Sequence, residues 1–314
     1  MIRRRRYSVP LPDRAPLQLG ERTLVMGVVN VTPDSFSDGG CWQDPSRAAD
    51  HAMEMESAGA ALVDIGGEST RPGAVALSTQ AELDRVVPVL ERLAGCVRVP
   101  VSIDTYKAEV ARVAIDHGAT IVNDISGLLY EPALAAVVAD RNAGLILMHN
   151  RGRSRDMYRQ ACYIDVGAEV AGELSGSIDT AVRAGVSRSR IIIDPGLGFA
   201  KRTEHNYAAL TALDRLAALD RPVLVGPSRK SFLAGTDVLG PDDREWGTAA
   251  AVTAAILQGA HIVRVHRVPE MVQVVEVADR FLDANECSPC LTTEGSVLIE
   301  PANSVGGPPD QRQS

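Results

Sequence analysis

Eight short polar clusters recur along this chain, each directly after an apolar run, and together they hold the residue types that could do chemistry. They are Asn30 with Thr32–Gly40, Gly66–Gly73, Asp104-Thr105, Asn123-Asp124, His149-Asn150, Asp194-Pro-Gly196, Gly226–Lys230, and Arg264 with His266. Each alone is weak, because an Asp-Thr or Asn-Asp after a strand also caps a following helix. Eight in phase are hard to obtain from capping, since Asn30, Lys230 and Arg264 make poor caps at those distances. Asp104, Asn123 and Asp194 suit the edge of a flat heterocycle bearing amino, ring N–H and carbonyl groups, the kind of partner a buried carboxylate needs. Thr70, Arg71, Arg264 and His266, with Asn30 nearby, form a cationic and hydrogen-bonding patch suited to phosphate or pyrophosphate. Asn30 is a neutral oxygen ligand, and a pyrophosphate substrate normally brings Mg²⁺, which takes one or two protein groups and keeps its waters.

The elements that must position these clusters are strands over Thr23–Val29, Ala61–Ile65, Val99–Ile103, Thr120–Val122, Gly144–Met148, Arg190–Ile193, Pro222–Val225 and His261–Val265. Amphipathic helical patterns lie between them, such as Ser46–Ala58, Gln80–Leu93, Val166–Arg183 and Glu270–Ala284. Continuous apolar runs without polar alternation mark strands buried on both faces, hence a parallel sheet covered by helices. Eight such units predict an α/β fold, a single (β/α)₈ barrel of the TIM type, with reactive groups at the C-terminal ends of the strands. A doubly wound open sheet is the alternative.

The chain has 314 residues and a formal net charge of −8, which argues against nucleic acid or an anionic membrane as partner. No apolar run is long enough to span a bilayer. The opening MIRRRR lacks the apolar stretch of an export signal, so residues 1–14 are expected to be a basic flexible arm. From about Asn285 the composition turns to Pro, Gly, Ser, Thr and Gln, which predicts a disordered tail over 285–314 and a folded body over 15–284. Five scattered cysteines do not form a disulfide framework and point to a reducing cytoplasm, and Cys287 and Cys290 lack the further ligands a zinc site needs. Of the 32 basic residues, 29 are arginine; the exceptions Lys107, Lys201 and Lys230 are candidates for places where a compact ammonium is required, Lys107 the weakest of them.

Seven segments, MGVVNVTPDSFSDGG, VDIGGESTRPGA, VSIDTYKAEVA, IVNDISG, IIIDPGLGFAK, GPSRKSFL and VRVH, in this order across residues 24–268, closely resemble dihydropteroate synthase. The resemblance implies a TIM barrel, usually a homodimer and a sulfonamide target, joining 7,8-dihydropterin-6-ylmethyl diphosphate to p-aminobenzoate with release of pyrophosphate. It implies that Asn30 binds Mg²⁺ and that Asp104, Asn123, Asp194 and Lys230 surround the pterin. It gives Arg264 and His266 to the diphosphate, and Phe36, Thr70, Arg71, Pro72 and Ser228 to the mobile loops and pocket that receive p-aminobenzoate. Asp104, Lys230, Arg264 and His266 are then the catalytic set, acting by an SN1-like transfer with no essential general base. Arg267, Ala200 and Arg202 depart from the family's usual residues. Rival readings are a folate-dependent methyltransferase of the same fold and a non-catalytic pterin-binding paralogue; for Lys230, a Schiff-base role is the alternative.

Overall fold

The computed structural model describes residues 4–32, 44–71, 73–153, 155–235 and 239–286. Eight parallel strands form its centre: β3 (Leu24–Asn30), β4 (Leu62–Gly66), β5 (Val101–Asp104), β6 (Ile121–Asp124), β7 (Gly144–Met148), β8 (Ile191–Asp194), β9 (Leu224–Val225) and β10 (Ile262–Val265). Each pairs in parallel with its sequence neighbour, except that β10 lies between β9 and β3 and that β8 meets β9 only through the bridge Ile193↔Val223. The ring thereby closes into the expected barrel.

Strand periodicity then divides the apolar residues into two cores. Val25, Val63, Ile103, Val122, Leu147, Ile193, Val225 and Val263 face outward and pack against the helices. Those helices include α1 (Pro45–Ser57), α2 (Thr79–Leu93), α3 (Ala108–Asp116), α4 (Leu134–Asp140), α5 (Val166–Arg183), α6 (Thr203–Thr211), α7 (Leu213–Ala217), α8 (Glu245–Leu257) and α9 (Val268–Glu286). Their starts are sharp where the sequence provides a cap: Asp44, Ser78 and Asp165 each accept a backbone N–H from the first turn of α1, α2 and α5.

The alternate residues Met26, Leu62, Ile121, Ile146, Ile192, Leu224 and Ile262 form the inner, lower layer. What fills the barrel's floor is a hairpin, β1 (Tyr7–Leu11) with β2 (Arg14–Leu19), whose Val9, Leu11, Leu17 and Leu19 join that layer. Residues 4–14 are therefore not the flexible basic arm expected. Arg4 pairs with Asp279 at 2.9 Å, both side chains under a tenth exposed, and Asp279 also takes the Thr23 N–H at 2.7 Å. Arg190 donates to the Pro10 carbonyl at 2.9 Å. Arginine here caps carbonyls and a buried carboxylate at the barrel floor, where a guanidinium fork holds more than one acceptor. Residues 1–3 and 287–314 lie outside the described residues, so the expectation for the tail does too, while α9 carries the folded body two residues past 284. Among the described residues, no helix is long and apolar enough to cross a membrane.

Candidate active site

Above the apolar layer, the inward positions of the strands turn polar. Asp64, Ser102, Asn123 and Arg264 follow, then Asn30, Gly66, Asp104 and Asp194 at the strand ends. A cavity of about 410 Å³ opens there, lined by Asn30, Thr70, Arg71, Asp104, Ser228, Lys230, Arg264 and His266 from the expected set. Asn123 and Asp194 do not line it, but lie buried on adjoining strand ends. Phe36 and Pro72 fall outside the described residues.

Arg264 is the hub of this floor. Its Nε donates to Asp64 Oδ2 at 2.6 Å and its Nη2 to Asp104 Oδ2 at 2.7 Å. Two of the guanidinium's five N–H groups are so used, leaving others for a phosphate. Asp64, which the strand-end pattern does not single out, also accepts from Asn123 Nδ2 at 2.9 Å. One carboxylate oxygen thus fixes both the group expected at the ring and the group expected at the anion. The only signal was a carboxylate inside an otherwise apolar strand, Leu-Val-Asp-Ile-Gly.

The electrostatics follow from burial. Burial pushes Asp104 up to about 7, with Asp64 and Glu82 adding to the rise and Arg264 and Lys230 opposing it. Burial lifts Asp194 to about 6 against the Gly196 N–H and the charges of Lys230 and Arg264. Lys230 is brought down to about 8 by burial and by Arg264, and its Nζ sits 4.0 Å from the centre of the Phe199 ring. His266 is held well below its usual range by burial and by four neighbouring cations, so at neutral pH it is not part of the positive charge expected of this patch. Ser228 Oγ accepts the His266 backbone N–H at 3.2 Å and lies 2.9 Å from Nδ1. A hydroxyl donating to Nδ1 leaves the ring proton on Nε2, and His266 then offers an anion a neutral N–H.

The other basic residues sort by geometry. Arg229 turns away, to Glu245 at 2.7 Å and Asp242 at 3.1 Å. Arg267 pairs with Glu270 at 3.1 Å, so the departure at this position does not place a charge on the diphosphate side. Ala200 is fully buried at φ +47°, a left-handed conformation that favours glycine and that alanine holds here under strain. Lys107 is not an incidental helix residue: its Nζ is buried between the carboxylates of Glu68 and Glu82. Glu68 also accepts from Tyr106 Oη at 3.1 Å and lines the cavity, so Lys107 anchors the loop that ends in Thr70 and Arg71.

Gly198 makes room for Lys230. It has φ +79°, and a Cβ there would lie 2.7 Å from Lys230 Cδ. Gly198→Ala is expected to displace the ammonium and lower kcat/KM about tenfold or more through combined strain and clash. Steady-state kinetics beside a melting curve check this, since the loss should exceed what any change in folded fraction explains.

A family profile described as "Pterin binding enzyme" matches residues 26–266. The chain belongs to the pterin-binding enzyme family. Within that family it is 48% identical over 267 residues to the dihydropteroate synthase of Mycobacterium leprae, an alignment covering 83% of this chain and 94% of that one. It is 47% identical to that of Synechocystis sp., over 87% and 95% of the two chains. Among solved structures, Yersinia pestis dihydropteroate synthase with a sulfonamide drug complex superposes with a TM-score of 0.81 at 42% identity, over 85% of this chain and 97% of that one. The Burkholderia cenocepacia dihydropteroate synthase complexed with 7,8-dihydropteroate gives 0.78 at 36% identity, over 89% and 98%. The barrel of this family member is the one expected from its eight strand and helix units.

Proposed function

We propose that this chain is a dihydropteroate synthase of folate biosynthesis, joining 7,8-dihydropterin-6-ylmethyl diphosphate to p-aminobenzoate to give 7,8-dihydropteroate and pyrophosphate. The observation that carries this is a single cavity that brings the buried Asp104 and Lys230 together with Arg71, Arg264, Ser228 and His266. One half reads a polar flat ring and the other holds its charged arm.

Charge placement gives the mechanism. Departure of diphosphate leaves positive charge on the exocyclic methylene, delocalised into the dihydropterin. Arg264 stabilises the leaving anion, and Asp104, held beside it, faces the developing cation. An aniline nitrogen is unprotonated at neutral pH, so the nucleophile needs position more than activation, and the transfer is SN1-like. Lys230, between Phe199 and the carboxylates, hydrogen-bonds the ring rather than forming a Schiff base.

Mg²⁺ belongs to the same proposal. Asn30 Oδ1 and Asp104 flank Gly66 at the cavity, where Asn30 would offer the ion a neutral oxygen. A site with a single protein oxygen fits an ion that keeps its waters and takes phosphate oxygens as ligands. When bound it neutralises charge on the departing diphosphate. A homodimer in the cytoplasm completes the reading. It is supported by exposed Trp246 on α8 and Val277 and Phe281 on the adjoining α9, and by free Cys96 and Cys162, which suit a reducing compartment.

The test incubates the protein with the pterin diphosphate, p-aminobenzoate and Mg²⁺ and measures pyrophosphate and dihydropteroate. Equal amounts of both are expected. Tight pterin binding without product would instead identify a non-catalytic paralogue, and demethylation of a methylated folate a methyltransferase.

A further inference from the structure

Of the three lysines, Lys230 faces the cavity and Lys107 anchors Glu68, but the reaction makes no use of Lys201. It is 1% exposed, among the largest fully buried side chains of the molecule. Its Nζ lies 2.8 Å from His149 Nδ1, 3.1 Å from the Gly196 carbonyl and 3.2 Å from the Phe199 carbonyl. Burial lowers it to about 7, with Asp194 working the other way. Three acceptors around one nitrogen call for three N–H groups, which an ammonium has and a neutral amine lacks. His149 is itself fixed: its Nε2 lies 3.0 Å from Glu173 Oε2, and Glu173 is bonded in turn to Arg151. With the ring proton directed to Glu173, Nδ1 keeps its lone pair for Lys201.

The two carbonyls belong to the turn between Asp194 and Lys201, whose Gly198 and Phe199 line the cavity. Asp194 Oδ1 accepts the Gly196 N–H at 2.7 Å at one end, and the Phe199 ring packs under Lys230 at the other. The turn cannot back away, because Gly196 lies so close to β7 that a Cβ would come 2.0 Å from the His149 carbonyl oxygen. Lys201 therefore clasps both ends of the turn and seats it on the end of β7.

We propose that Lys201 is a positioning residue for the pterin: seated on His149, it bonds the Gly196 and Phe199 carbonyls and so sets Asp194 and Phe199 against the ring without touching substrate. This rests on the pterin-binding reading of the site. It predicts a loss confined to the ring substrate, because p-aminobenzoate is assigned to the Thr70 and Ser228 side of the cavity.

Wild type, Lys201→Met, His149→Leu and His149→Asn are compared by steady-state kinetics, calorimetric binding of a pterin lacking the diphosphate, and thermal melting. Lys201→Met is expected to raise the KM for the pterin diphosphate and the Kd for the pterin about tenfold or more, the scale of lost bonds to a charged donor. The KM for p-aminobenzoate stays within about twofold. His149→Leu shifts the pterin values in the same direction, and His149→Asn, whose Oδ1 can accept from Nζ, recovers most of that loss. A merely structural role would lower the melting temperature and the active fraction while leaving both KM values in place. The proposal is overturned if folded Lys201→Met keeps a wild-type pterin Kd, or if both KM values rise together. Should Lys201→Met fail to fold, the His149 pair decides the same question: a pterin Kd unchanged in folded His149→Leu overturns the proposal. A wild type that binds no pterin would sink the functional reading instead.

Discussion

Replacing Asp104 by asparagine is expected to lower kcat about a hundred- to a thousandfold, the cost of removing one preorganised charge from a buried site. The isostere leaves the cavity shape intact, so the loss should fall on kcat more than on KM, as for an interaction made mainly in the transition state. The pH dependence separates this from a packing defect. In the wild type, kcat/KM should rise with pH as Asp104 loses its proton near 7 and fall as Lys230 loses its proton near 8, giving a narrow bell. In Asp104→Asn the remaining acidic limb belongs to Asp194, near 6, so it moves to lower pH. The basic limb also moves down, because Asp104 is one of the two carboxylates that hold the Lys230 proton. A variant with both limbs unmoved would show that Asp104 is not the group whose charge the reaction needs.

Much of this arrangement is legible in the chain itself, for a physical reason. Parallel strands buried on two faces leave most of their polar side chains at their ends, and a barrel gathers all eight C-terminal ends on one rim. The observed strand starts and stops differ from those expected by at most two residues, as for Leu62–Gly66 against Ala61–Ile65, and Gly144–Met148 coincides, which leaves the end residues in place. The hairpin escaped because its alternation, Val9, Leu11, Leu17 and Leu19, is short and interrupted by Pro10, Pro12, Arg14 and Pro16. Its turn passes through Asp13 at φ +51° after Pro12, a two-residue signal easily taken for part of a loose arm. Lys201 and Lys107 could not be placed because the burial of a charge depends on partners distant in sequence, His149 for one and Glu68 and Glu82 for the other.

Asp64 was hidden in another way, and removing it carries the second large effect. The residue is completely buried, and a single oxygen takes the bonds from Arg264 and Asn123 while Oδ1 has no hydrogen-bond partner among the described residues. Asp64→Ala breaks a buried ion pair and frees the Asn123 amide at once. Loss of a buried partner typically costs about 3–5 kcal/mol of stability, and with Arg264 no longer braced kcat/KM should fall about a hundredfold or more. Asp64→Asn tests whether geometry or charge matters. An amide oxygen placed where Oδ2 now lies keeps both bonds, so the fold and the Arg264 position should survive. The charge is gone, however, and Asp64 is among the groups that push Asp104 upward. The acidic limb of kcat/KM should therefore shift to lower pH in Asp64→Asn while activity near neutral pH falls far less than in Asp64→Ala. If the limb stays where it is in wild type, Asp64 acts as a brace alone; if Asp64→Asn is as impaired as Asp64→Ala, its negative charge is what keeps Arg264 aimed at the departing diphosphate.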